Sequence, residues 1–110
     1  MAIQKAGRQQ FQDLFEVVGV GAFTIDFANA ATGLGTMAVS GALAVPGAAL
    51  GDIVLCAPSV DPLDAVIAGH VTAANVVELT LLNNTAGAVD LASQAVRVVV
   101  LRINPAWATV

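Results

Sequence analysis

A chain of 110 residues that is 57% hydrophobic and 11% charged has room for one core, none for a separate catalytic module, and more apolar surface than one small interior can hide. Its net charge of −4, with four basic residues spread along the chain, excludes nucleic acid as a partner, because that function needs a clustered Lys/Arg footprint. A membrane-spanning helix is excluded as well: the longest uncharged window, Phe27 to Gly51, contains Asn29, Thr32, Thr36, Ser40, five glycines and Pro46, whereas a span needs about 20 mostly apolar residues.

Residues 1–16, MAIQKAGRQQFQDLFE, differ from everything after them and hold four of the five glutamines and two of the four basic residues. Phe11, Leu14 and Phe15 follow i, i+3, i+4 spacing, which predicts a short amphipathic helix or, equally, an arm that orders on a partner. Lys5 and Arg8 ahead of VVGVGAF imitate a secretion signal, but Asp13, Glu16 and Asp26 interrupt it.

From Val17 onward the pattern is β, and residues 17–104 are expected to form the domain. VGVGAFTIDF alternates Phe23, Ile25 and Phe27 against Ala22, Thr24 and Asp26, and TMAVSGALAV sets Met37, Val39, Leu43 and Val45 against the smaller Thr36, Ala38, Ser40, Ala42 and Ala44. VPGAALGD reads as a turn-rich connection, DIVLCA as a strand apolar on both faces, and PSVDPLD as a loop whose prolines remove ladder donors. AVIAGHVTAANVVELTLLNN predicts a hairpin around Ala73-Ala74-Asn75, with Val77, Leu79 and Leu81 inward and Glu78 and Thr80 outward. After the polar connection NTAGAVDLAS comes the last strand, QAVRVVVLRI, with Val96, Val98 and Val100 on one face and Val99, Leu101 and Ile103 on the other. Residues 105–110 form a tail that carries Pro105 and the single Trp107. Short strands separated by turns predict an all-β domain, an antiparallel β-sandwich or jelly roll.

Catalytic chemistry finds no foothold in these residues. His70 is the only histidine and sits in an apolar run, which suits an imidazole hydrogen-bonded to backbone on a strand or interface; the nearest carboxylates, Asp61 and Asp64 of DPLD, read as a solvated loop rather than a metal or glycosidase pair. The GVG and GLG triplets open no helix and precede no Lys-Ser/Thr pair, so they make no phosphate cradle. Ser40, Ser59 and Ser93 lack a nucleophile elbow. Cys56, the lone cysteine, is expected to be a buried, inert thiol. The expectation is therefore a protein that is not an enzyme and takes no cofactor or metal.

GAALGDIVL, HVTAANVVELTLLNN and AGAVDLASQAVRVVVLR resemble the recurring blocks of small phage virion domains. In those, a Gly-Asp strand, a V-[ST]-A-x-N hairpin and an Asp-x-x-Ser turn lead into a terminal Arg-Val-x-Val-x-Arg strand. The likeness spans roughly Phe23 to Arg102, with Leu91-Ala92 standing where such turns often carry prolines. The resemblance implies a virion structural protein: a capsid decoration (cement) protein, a homotrimer binding the major capsid protein on the outer capsid surface after assembly in the host cytoplasm. A trimeric fibre or tail module recognising host-surface carbohydrate is the alternative, disfavoured because Trp107 stands without a tyrosine to help it. In the decoration reading Val99, Leu101, Ile103, Arg97 and Arg102 form the subunit interface, and Ile3, Phe11, Leu14 and Phe15 contact the capsid. Arg97 and Arg102 either snorkel to water at strand ends or pair across subunits with Asp52, Glu78 or Asp90.

Overall fold

The computed structural model describes residues 14–28 and 36–104. Seven strands follow in chain order: β1 (Phe15–Ile25), β2 (Thr36–Val39), β3 (Leu43–Ala44), β4 (Ile53–Pro58), β5 (Val66–Ala73), β6 (Val76–Asn83) and β7 (Gln94–Ile103). The protein is all-β, and every pairing is antiparallel. The strands run β1-β7-β4-β5-β6-β2 across one sheet, with β3 also paired to β6. Hydrogen bonding thus joins them into one sheet and does not divide them between two, a distinction that alternation within single strands cannot carry.

The valines of β7 explain the centre of the sheet. β-Branched side chains fit a pleated surface, and Val96, Val98 and Val100 are fully buried in a cluster with Ile25, Phe27, Val45, Val77, Leu79, Leu81, Val89 and Leu91. The hairpin forms as its sequence predicts. Ala74-Asn75 makes the turn, Asn75 takes the left-handed conformation at φ 64°, and Val77, Leu79 and Leu81 point inward.

Residues 45–48 clasp the tip of that hairpin. Val45 N–H donates to Asn75 O at 2.9 Å, Asn75 N–H to Ala48 O at 2.8 Å, and Gly47 N–H to Asn75 Oδ1 at 2.9 Å. The same segment presses on a bulge in β1, where Val17 and Gly19 oppose the consecutive residues Leu101 and Val100 and leave Val18 unpaired in the ladder. A Cβ on Gly19 would stand 2.7 Å from Val45 Cγ1, so glycine is what lets the two segments approach.

Three expectations change in place. In β2 it is Ala38 that is buried, opposite Leu81, whereas Met37 and Val39 face outward at 64% and 53% exposure. The reason is a phase slip: Ser40 Oγ accepts the Leu79 N–H at 2.9 Å and Gly41 turns with φ 77°, so Leu43 and Val45 face inward although Met37 and Val39 do not. Phe15 opens β1 opposite Ile103, so it extends a strand and is not part of a helix, and the sheet begins two residues before Val17. Ile3 and Phe11 lie outside the described residues, as does the tail 105–110 with Trp107. At the β1/β7 end Asn104 N–H donates to Leu14 O at 2.9 Å.

Candidate functional site: the outer face of the sheet

Antiparallel partners share a face, so the registers define what the sheet shows to the outside. Across its middle run Val20, Val99 and Leu55, from β1, β7 and β4, and continuing the Val54↔Gly69 register adds Ala68 of β5, which faces Thr80 of β6 and then Val39 of β2. One row toward the hairpin turn lie Val17, Leu101 and Ile53, then His70 and Glu78; one row the other way lie Ala22, Arg97 and Ala57, then Val66, Leu82 and Met37. The middle row is apolar from edge to edge save for Thr80. Val20 is 65% exposed and Leu55 53%.

Between β1, β7 and β4 the band dips into a shallow groove of about 280 Å³ lined by Val17, Leu55, Ala57, Arg97, Val99 and Leu101. Of the residues expected at a subunit interface, Val99 is half-buried and lines the groove, Arg97 is exposed on its rim, and Ile103 is exposed at the strand end opposite Phe15. Leu101 differs: it is 6% exposed within the single chain, already flanked by Val17 and Ile53, and needs no second subunit to cover it. Leu14 is exposed at the foot of β1.

Arg102 has a partner within its own chain. Its Nε donates to Asp52 Oδ1 at 2.9 Å, its Nη2 to Asp52 Oδ2 at 2.8 Å and to Gly47 O at 3.1 Å, so the guanidinium fork closes on the Asp52 carboxylate of the same chain. Asp52 is almost fully buried and also accepts the Ala49 N–H at 2.9 Å. The hydrogen bond from Arg102 holds the Asp52 carboxyl below its ordinary value, helped by Ala49 and by the arginine's charge against the opposing effect of burial. Asp52 holds Arg102 charged in turn.

A depressed folded-state carboxyl contributes stability that is present above its unfolded value of about 3.9 and is lost as pH falls through the folded value. The urea midpoint of the wild type is therefore expected to drop between about pH 5 and pH 2 by more than that of Asp52→Asn, which starts lower at neutral pH. Parallel curves would show that the pair contributes nothing to acid stability.

The other reactive groups are accounted for by structure. Cys56 is half-buried, its Sγ 3.8 Å from Ile67 O, and burial pushes the thiol up. Asp61 Oδ1 accepts the Leu63 N–H at 2.9 Å and shapes its own loop. His70 faces outward, its Nε2 4.0 Å from Glu78 Oε1 and not on backbone. Among the described residues no three His, Cys, Asp or Glu side chains converge on a point that holds a metal ion.

No family model, characterised protein or solved structure matches the chain. The site is thus defined by its own chemistry: a broad apolar face with one cation, Arg97, on the groove. Sequence reading found Val99 and the two-sided β4 but missed Val20, Met37, Val39 and Val66. A signal existed for Val20, since Gly19 and Gly21 flank it and leave the inward positions small; none existed for Met37 and Val39, whose facing depends on Ser40 meeting a strand 39 residues away.

Proposed function

We propose that this protein is a non-enzymatic virion structural protein, a capsid decoration protein of the phage kind its sequence blocks resemble, which acts as a homotrimer on the major capsid protein. The observation that supports the reading is the outer face. A soluble monomer rarely leaves a contiguous apolar patch above a few hundred Å² open to water, and here the band crosses six neighbouring strands. In this reading a neighbouring copy covers the part between β1, β7 and β4, and three head-to-tail contacts close a ring. The first residues of the chain, with Ile3 and Phe11, reach onto the shell from beside the exposed Leu14 at the foot of β1. Each such foot binds weakly, and the ring binds by engaging several capsid subunits at once.

The experiment is mass measurement of the purified protein combined with co-sedimentation with capsids. The wild type is expected to run as a trimer and to pellet with shells. Leu55→Arg, a substitution at an exposed position, is expected to fold and to run as a monomer, because an unpaired guanidinium in the buried contact weakens association by about a hundredfold or more. Deletion of residues 1–13 is expected to leave the trimer and abolish pelleting. A wild-type monomer that ignores capsids overturns the proposal.

A further inference from the structure

The geometry points to a hinge inside the sheet: the single chain opens between β4 and β5, and residues 61–64 are the strained link that governs the opening. The neighbouring junctions are laddered in full. β4 pairs with β7 at each position from Ile53 to Pro58, and β5 with β6 at each position from Val66 to Val71. Among the described residues β4 and β5 themselves meet only at Val54↔Gly69. The sheet turns a corner at that bridge. A Cβ on Gly69 would stand 2.5 Å from Val54 Cγ1 and 2.8 Å from Leu79 Cδ2, so Val54 folds in over a position that has no side chain, as happens where glycine lets a sheet bend tightly.

The connection from β4 to β5 is divided between the two sides of the corner. Ser59 N–H and Val60 N–H donate to Oε1 of the buried Gln94 at 3.0 and 3.1 Å, which ties the start of the loop to β7. At its other end Val66 pairs with Leu82 of β6. Between these anchors the bonds are local: Leu63 N–H donates to Asp61 Oδ1 at 2.9 Å and Ala65 N–H to Pro62 O at 3.0 Å. Leu63 and Asp64 both have positive φ, 56° and 67°, a conformation that leucine in particular rarely adopts. Leu63 is exposed, so no core packing compensates it. The strain thus sits where the part of the loop held by β7 gives way to the part held by β6, the place where a hinge absorbs its change in φ and ψ.

Opening lets Leu63 return to negative φ, and that release offsets part of the loss of the Val54↔Gly69 bridge. A break that costs one short pairing and relieves strain is less costly than any that must undo the ladders of β7 or β6. The motion starts at the loop end of the seam, where continuation of the register sets Cys56 against Ile67. Cys56 is half-buried, packs against the core and places its Sγ 3.8 Å from Ile67 O. As the chain's single cysteine, it reports the opening by its exposure to a thiol reagent.

The test is the rate at which dithionitrobenzoate labels Cys56 in the folded full chain, at one fixed pH and without urea, beside the urea midpoint of each protein. Leu63→Gly accepts positive φ without strain and is expected to slow labelling about fivefold. Gly69→Ala pushes Val54 away from β5 and is expected to speed it about tenfold. Gly41→Ala is the control for global stability: it takes a side chain at φ 77° with nothing within 4 Å of a built Cβ, away from the seam. It is expected to lower the midpoint and leave the labelling rate unchanged. Rates that follow the midpoints across the four proteins mean that the thiol is reached only by global unfolding, and overturn the inference. A rate that no substitution moves means that the thiol is reached without opening, and overturns it too. A rate moved by Gly69→Ala but not by Leu63→Gly overturns the assignment of residues 61–64 as the hinge.

Discussion

Gly47→Ala is expected to cost about 3–4 kcal/mol, the sum of a left-handed conformation forced on a residue with a side chain and a steric collision. Gly47 has φ 100°, and a Cβ there would run into the carbonyl oxygen of Val18. That obstacle is backbone, fixed in the β1 bulge, so it does not swing aside as a side chain does. Relief requires residues 45–48 to lift away, which breaks the bond from Gly47 N–H to Asn75 Oδ1. For a single domain whose total stability is about 5–15 kcal/mol, the loss is visible as a large drop in urea midpoint. Gly51 is the control: it has φ 96° with nothing within 4 Å of a built Cβ, so Gly51→Ala carries the conformational cost alone, about 1–2 kcal/mol. Equal midpoints for the two variants would show that the clasp on β1 has no energetic weight.

Leu79→Ala is expected to cost about 3 kcal/mol, from lost transfer energy and from the cavity left in a core that relaxes only in part. Leu79 is fully buried on β6 opposite Gly69 of β5. The position also makes a specific coupling. A Cβ on Gly69 would stand 2.8 Å from Leu79 Cδ2 and 2.5 Å from Val54 Cγ1, so Gly69→Ala overpacks the site by about 1–2 kcal/mol. Once Leu79 is truncated, part of that crowding disappears. The double variant is expected to be more stable than the sum of the single losses by about 1 kcal/mol, as measured by a double-mutant cycle in urea. Strict additivity would mean that Val54 alone resists the added methyl.

What could be read from the chain was the part governed by neighbours in sequence. The β class, the Ala74-Asn75 turn and the inward set Val77, Leu79 and Leu81 follow from period-two alternation and from the tolerance of asparagine for positive φ. The two-sided character of β7 was equally plain, since Val96 to Ile103 interleave two apolar sets. What escaped depends on partners far apart along the chain. Ser40 changes the phase of β2 by bonding to Leu79, Gly47 is demanded by Val18 and Asn75, and Arg102 finds Asp52 across 50 positions. The same holds for the face itself: the apolar residues of β7 were visible, but that Leu101 is shielded by Val17 and Ile53 while Val20 and Leu55 stand open is decided by which strands flank it.

The bond from Asn104 N–H to Leu14 O has a consequence for how the chain is wired. The first and last strands are neighbours, running in opposite directions, so the described chain enters and leaves the sheet at one corner. A short peptide joining those two points would convert the domain into a circular permutant without rerouting any strand, with new ends opened in an exposed loop such as the one holding Gly51. For the same reason a payload fused at either end of the sheet would be displayed from that single corner.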